Sequence, residues 1–348
     1  MQGGGKAVCT SCGMKYSTES LREKFNGLKV SVTGSREDVE QWKQLVKIYV
    51  NQQDYSAAEV TIKKILEAVP SDEYANNMYS LLQEWKYLEI VNGTLIKYSG
   101  RSKKIVLPEG ITDIGNLAFE GSYCQEVVLP KTILSIGPQA FMYSALQTLS
   151  IPEGLTHIGM RAFYGSSLSD ISIPNSIEEI GAGAFAGCSS LHCFEWPSSI
   201  TVIPYGTFNQ SGLYSIKLPN TVEEIGGDAF RECISLKQVI LPKCLKVIEG
   251  CAFFGCRALT EIDIPLSCTE IGPNAFKYCD HLYKVSQNVV IKTTGDELSF
   301  AETPIIVEAR RRETQNEWRN KNKCQYCGGT FKGLFRETCT RCGKQKDY

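Results

Sequence analysis

The chain has 348 residues, 43% of them hydrophobic, with 37 basic and 38 acidic side chains, so it is long enough for several modules and close to neutral. No apolar run reaches the roughly 20 residues that a bilayer-spanning helix needs. Met1 to Thr10 lacks the apolar stretch of an export signal, and the fifteen cysteines then read as reduced thiols of a cytoplasmic protein. Neutrality hides a dipole, since residues 101–304 carry 14 basic and 21 acidic side chains and residues 305–348 carry 11 and 5.

In chain order, Cys9-Thr10-Ser11-Cys12-Gly13 comes first. Two thiolates at C-x-x-C spacing reach one metal ion, but they are two ligands of the four that a closed zinc site takes. Residues 1–20 are therefore expected to be a zinc-knuckle half site. A decayed ribbon, a site completed by another chain and a redox pair are the alternatives.

Residues 39–86 are expected to be helical. Trp42, Leu45 and Tyr49 fall on one helical face, and Ala58 on the next helix is small enough to receive them. With Ile62 and Pro70 these residues match the tetratricopeptide spacing, with Val46 in place of its glycine and Ile65 in place of a later alanine. The segment resembles one tetratricopeptide unit followed by a further helix through Leu82 and Trp85, which suits a packing role better than a peptide groove. Residues 87–100 then read as a capping hairpin around Asn92-Gly93, a pair that tolerates the positive φ of a two-residue turn.

Residues 101–291 are a repeat. Pro108, Pro130, Pro152, Pro174, Pro197, Pro219, Pro242 and Pro265 are each followed eleven residues later by a phenylalanine, at 119, 141, 163, 185, 208, 230, 253 and 276. The return takes eleven or twelve residues, so the period is 22 or 23, the signature of a solenoid. Alternation before each proline, as in Ile171-Ser172-Ile173, predicts a strand with one buried face that the proline ends. A second short arc follows and ends at an inward isoleucine, from Ile114 to Ile271. Glycine follows that isoleucine in six copies, with Pro204 and Glu249 as the exceptions, and it suits a tight corner or positive φ. Three residues after each phenylalanine the residue is Ser or Cys. A buried slot for a small side chain explains this better than a metal or thiol ladder.

Leu146-x-x-Leu149-x-Ile151 echoes the leucine-rich pattern without its usual asparagine. With eight copies in phase, the stretch resembles the BspA-like leucine-rich repeats of bacterial and some protist proteins. That resemblance implies a curved stack of parallel strands that binds partners and has no catalytic role. It also implies a surface location for many members. The fold expected is a mainly β solenoid, a right-handed stack of eight 22/23-residue coils, with an N-terminal helical segment and a small C-terminal zinc ribbon.

After the solenoid, Val289-Val290-Ile291 reads as one more strand, and residues 302–320 read as a basic helical linker with Arg310, Arg311 and Arg312 in a row. Residues 321–348 hold Cys324-x2-Cys327 and Cys339-x2-Cys342, whose spacing fits one structural zinc ion held by four thiolates. The segment resembles a zinc ribbon. Its basic and aromatic residues leave nucleic acid open as a partner, second to a protein contact or to docking on the acidic solenoid.

Enzyme chemistry has no visible apparatus. Neither G-x-x-x-x-G-K-[ST] nor G-x-G-x-x-G occurs, and His157, His192 and His281 fall in three different coils. The expected function is a non-enzymatic protein–protein interaction or scaffold role through the solenoid face. A nucleic-acid-linked regulator acting through the ribbon and a surface adhesin are the alternatives. Candidate contact residues are Glu195, Lys217 and Asp263 on outward strand slots, and Glu178, Glu179, Glu223, Glu224 and Glu270 on the second arc.

Overall fold

The computed structural model describes residues 36–285 and four short strands, Lys6–Val8, Lys15–Ser17, Phe331–Lys332 and Thr338–Cys339. The expected linker at 302–320, the strand at 289–291 and five of the six paired cysteines (Cys9, Cys12, Cys324, Cys327 and Cys342) lie outside the described residues. Contacts divide the chain into residues 1–82 and residues 83–348.

In the first unit, Lys6–Val8 pairs antiparallel with Lys15–Ser17. Helices follow at Arg36–Asn51, Tyr55–Ala68 and Glu73–Trp85, the last running past the unit boundary. Each later helix is started by an aspartate. Asp54 accepts from the Ala57 N–H at 3.0 Å and Asp72 from the Ala75 N–H at 2.9 Å, which satisfies donors that a helix leaves open at its first turn. Lys43 on the first helix reaches Asp72 at 2.7 Å and so ties that cap down. Trp42, Ala58, Ile62 and Ile65 are buried as the spacing predicts, but Leu45 and Tyr49 are only half-buried. The fully buried residue of the first helix is Val46, at the position where the tetratricopeptide frame has glycine.

The second unit is a β solenoid of about nine turns. Its interior is one continuous apolar cluster from Leu95 to Leu282. All eight phenylalanines are fully buried and stand in single file. Successive rings stack with centroids 4.8 to 5.7 Å apart and planes within 15°. Beside the rings, each phenylalanine N–H donates to the residue before the next phenylalanine, as from Phe141 to the Ala162 carbonyl at 2.7 Å. A small side chain is needed there, because the neighbouring ring leaves no room for a larger one.

The hairpin extends this pattern by one turn. Leu88–Val91 and Thr94–Tyr98 pair antiparallel around Asn92 and Gly93, whose φ values of 50° and 81° are those of the predicted turn. Leu95 takes the isoleucine place opposite Ile114, and the Tyr98 N–H donates to Ala118 at 2.8 Å. The Tyr98 ring lies 5.2 Å from that of Phe119 and closes the stack. At the helix end, the Trp85 indole donates to the Val106 carbonyl at 2.7 Å. The expected eight coils are thus lengthened at the start by the hairpin, and Lys284–Val285, inside the expected 101–291 span, adds a last half coil by pairing with Glu261–Ile262.

The glycines after isoleucine do not serve a positive φ, contrary to one of the two expectations for them. The left-handed positions lie two residues before and two after each phenylalanine, for example Gln139 at 55° and Tyr143 at 53° around Phe141. Glycine follows isoleucine because coils approach closely there. A Cβ on Gly159 would lie 2.5 Å from the Pro138 nitrogen, and one on Gly137 would lie 2.8 Å from the Ile114 carbonyl.

Both strand ladders break in mid-stack. On the first strand face Lys104–Val106, Glu126–Val128, Thr148–Ser150 and Asp170–Ser172 form one parallel sheet. The next coil offers only an isolated bridge, Glu195 to Lys217. Phe194 and Trp196 occupy strand slots that hold Ile171 and Ile173 in the coil before, and they pack against Phe208 at 4.9 and 6.0 Å. On the second arc the sheet that ends at Glu179–Ile180 is separate from the one that begins at Val202–Ile203. In six other coils the glycine N–H here donates to the coil before at 2.7–2.8 Å, but Pro204 has no N–H to give.

Candidate functional site

Inward slots are filled with apolar side chains, so the chemistry that another molecule could meet lies on the outward columns. The second arc carries the carboxylates. Parallel pairing in register places Ser135 beside His157 and His157 beside Glu179, then, past the break, Val202 beside Glu224, Glu224 beside Val247 and Val247 beside Glu270. Glu178 and Glu223 stand one residue earlier on the same coils as Glu179 and Glu224. Acidic coils therefore alternate with a coil of neutral or basic residues, Thr201 and Val202 in one and Lys246 and Val247 in the other. At strand spacing this sets carboxylates about 10 Å apart along the stack. Glu178, Glu179, Glu223 and Glu270 are exposed and Glu224 is half-buried. Lys246 pairs with Glu223 at 2.6 Å, a contact between exposed ends that is worth little.

The first strand face is a different surface. Glu195 and Lys217 are neighbours across the isolated bridge, and Asp263 stands two coils beyond Lys217 with Ile240 between them. The eight residues singled out in the sequence thus divide between two faces, five on the second arc and three on the first strands. Two cross-coil ion pairs, Lys104 with Glu126 at 2.7 Å and Lys284 with Glu261 at 2.9 Å, frame that second group.

A third face escaped the sequence reading. It is the edge formed by the residues flanking each phenylalanine. Tyr143 and Tyr164 meet edge to face at 5.4 Å, with the Arg161 guanidinium 5.6 Å from the Tyr164 centroid. Further along, Arg231 covers the Phe254 ring at 4.4 Å, and Phe254 meets Tyr278 edge to face at 5.1 Å. The Tyr205 hydroxyl donates to Asp228 at 2.5 Å, and that bond to a carboxylate raises the phenol's pKa. The signal was present as aromatic residues one or two places after Phe141, Phe163, Phe253 and Phe276, but it repeats in too few coils to stand out.

The thiols in the Ser/Cys slot are inert packing. Cys188, Cys233, Cys256 and Cys279 are fully buried and each donates to a phenylalanine carbonyl of the preceding coil, at 3.0 to 3.2 Å. Burial pushes Cys188, Cys233 and Cys279 up to about 12 and Cys256 well above its ordinary value. Cys124, in a leucine slot, is pushed by burial to about 11. Cys193 is exposed.

Two of the three histidines reach across coils. His192 and His281 each place Nδ1 against a carbonyl of a neighbouring coil, Gly212 at 3.1 Å and Arg257 at 2.7 Å. His157 Nδ1 meets the Thr156 hydroxyl at 2.7 Å. Of the six paired cysteines only Cys339 lies in a described element, at the end of Thr338–Cys339. Among the described residues no helix is long and apolar enough to cross a membrane.

Solved structures similar to this chain include several leucine-rich repeat proteins. A leucine-rich repeat protein of T. pallidum is 25% identical over 66% of this chain and 93% of its own, with a TM-score of 0.39. One from Eubacterium ventriosum is 23% identical over 57% and 66%, with a TM-score of 0.41. One from Bacteroides ovatus is 24% identical over 54% and 67%, with a TM-score of 0.31. Curated proteins gave no match. The family model described as BspA type leucine rich repeat region (6 copies) matches residues 91–214 and 201–320, well over half of the chain. The chain belongs to the BspA-type leucine-rich-repeat family.

Proposed function

We propose that the chain is a non-enzymatic interaction protein that uses the second arc of its solenoid to hold a protein partner bearing basic side chains. The observation that carries this reading is the alternation of acidic coils, with Glu178 and Glu179, Glu223 and Glu224, and Glu270 on every second turn of the solenoid, the first pair ending one sheet of the arc and the rest lying on the next. A rigid backbone lets these carboxylates meet lysine or arginine without ordering a loop, so binding loses less entropy. Complementary charge of this kind sets on-rate and partner choice more than it sets raw affinity.

The test is capture from a lysate of the source organism, comparing the chain with a Glu178→Lys, Glu179→Lys, Glu224→Lys variant of unchanged melting temperature. Loss of the captured protein by the variant, and weaker capture by the parent at high salt, are expected. Equal capture by both would refute the assignment of the face. A partner lost instead on reversal of Lys217 and Asp263 would move the contact to the first strands.

A further inference from the structure

The hairpin that begins the solenoid leaves a strand edge without a partner among the described residues. The first sheet of the second arc runs from Glu179–Ile180 back to Thr94–Tyr98 and ends at Leu88–Val91, which has a strand neighbour on one side only. Along an antiparallel strand, successive residues turn their N–H and C=O groups to opposite sides. The Tyr87 carbonyl accepts from the Ser99 N–H at 2.9 Å and so faces Thr94–Tyr98, as Glu89 and Val91 then also do. The register shift between Glu89 and Ile90 does not upset this order, because the extra residue, Ile96, lies on the other strand. Leu88 and Ile90 therefore turn their N–H and C=O groups to the open side, four groups that no described strand meets. Side chains show the same opening. Leu88 and Ile90 pack against the core yet stay half-buried, whereas Leu95, one layer further in, is fully buried. Tyr87, Glu89 and Val91 are exposed on the outer side. The strand carries neither the proline nor the lysine with which open edges are commonly blocked.

We propose that Leu88–Val91 takes up an extended segment of a partner protein as one more strand. Apolar residues of that segment cover Leu88 and Ile90, and a lysine or arginine stands beside Glu89. Strand addition of this kind draws affinity from main-chain bonds and specificity from alternate side chains. Glu89 decides against a second copy of this chain as the occupant. Two identical edges use all their free groups only when Leu88 of each lies opposite Ile90 of the other. That register sets Glu89 directly opposite its own equivalent, in the closer, non-hydrogen-bonded kind of pair. Like charges there are destabilising, and a basic residue in the same place is favourable. It also completes a row with Lys97, which stands beside Glu89 on the other side.

The probe is a short peptide of alternating valine and lysine, with a valine and glutamate peptide as its counterpart. Each is titrated into the full chain, and residue-resolved amide exchange is followed. In the free chain the Leu88 and Ile90 amides should exchange fast at every chain concentration, and Glu89 and Val91 slowly. The lysine peptide should slow Leu88 and Ile90 by at least about tenfold and leave the other two as they were. Glu89→Lys, with unchanged melting, should weaken the lysine peptide by about tenfold and admit the glutamate peptide. Lysine peptides N-methylated on the valines and on the lysines should differ widely in affinity, because only one set of N–H groups faces the edge. Leu88 and Ile90 amides already slow in the dilute free chain would overturn the proposal. So would a lysine peptide that leaves them fast, or equal binding by the two N-methylated peptides. Protection that grows with the concentration of the chain alone would overturn the choice of occupant in favour of a second copy.

Discussion

Phe253 and Phe254 are consecutive residues of one type, and the fold gives them opposite roles. Phe253 is fully buried, with Phe230 and Phe276 stacked on its two faces at 5.1 Å each. Phe254 is half-buried on the edge, under the Arg231 guanidinium and beside Tyr278. Truncating a core phenylalanine to alanine costs about 3–5 kcal/mol, and two stacked partners place Phe253→Ala at the upper end, about 5 kcal/mol. Phe254→Ala loses one edge contact and one exposed cation–π contact, together about 1–2 kcal/mol. With a urea slope of about 3 kcal/mol/M for a chain of this size, the midpoints should fall by about 1.7 M and about 0.5 M. The assay is urea unfolding of both variants, followed by circular dichroism at a β wavelength. Equal losses, or a larger loss for Phe254→Ala, would refute the single-file ring stack as the main source of cohesion.

Two further outcomes test the coil spacing and the buried thiols. Gly159→Ala should cost about 1–3 kcal/mol because its Cβ meets backbone. Gly154→Ala, whose Cβ has no neighbour nearer than 3.6 Å, should be neutral or stabilising by up to about 1 kcal/mol in thermal melts. Alkylation of the native chain should mark Cys193 and spare Cys188, Cys233, Cys256 and Cys279 until the chain unfolds, read by mass spectrometry. These thiols have folded pKa values raised above the ordinary 9.0, three of them to about 12. The folded state holds their protons more tightly than the unfolded chain does. Their stabilisation is therefore complete below pH 9 and lost as pH rises from 9 toward 12. Serine at Cys188 and Cys233 should make that fall shallower; an unchanged slope would contradict it.

The solenoid was legible because one physical constraint recurs in every coil. A ring that must stack on the ring before it admits only phenylalanine at that place and only a small residue beside it, so the signal is written eight times. Glycine after isoleucine was equally visible, but its cause was not. A tight corner, a positive φ and a close approach all select glycine, and only the distance from Gly159 to the backbone of Pro138 separates them. The true left-handed positions were hidden because they accept Gln139, Tyr143, Arg161 and Asp228 as well as glycine. The face of each outward residue was legible too, since phase in the repeat puts Glu178 and Glu224 on the second arc and Glu195 and Lys217 on the first strands. The ladder break between Glu179 and Val202 was not, because it depends on how one coil seats on the next.

Each ladder breaks between the same pair of coils, for unrelated reasons, and what survives there shows what holds the stack together; the first-strand ladder breaks once more, between Gln238–Ile240 and Glu261–Ile262. Pro204 removes a donor on one side, while Phe194 and Trp196 bring bulk on the other. Yet the phenylalanine turn crosses the gap with its bonds intact, from Gly183 to Tyr205, Phe185 to Thr207 and Gly187 to Asn209, at 2.7–2.9 Å. The ring spacing there, 5.7 Å between Phe185 and Phe208, is the widest in the file, and Phe194 bridges both rings at 4.9 Å. Cohesion at that point rests on aromatic packing and turn hydrogen bonds rather than on strand pairing. Glu178 and Glu179 lie on one side of the gap, Glu223 and Glu224 on the other. Strand pairing fixes the spacing from Val202 through Glu224 to Glu270, whereas the step from Glu179 to Val202 is held by the turn, by aromatic packing and by Ser198, whose N–H and hydroxyl donate to Asn175 at 3.2 and 3.1 Å, so a partner that spans the gap meets the one step of this arc that lacks strand pairing.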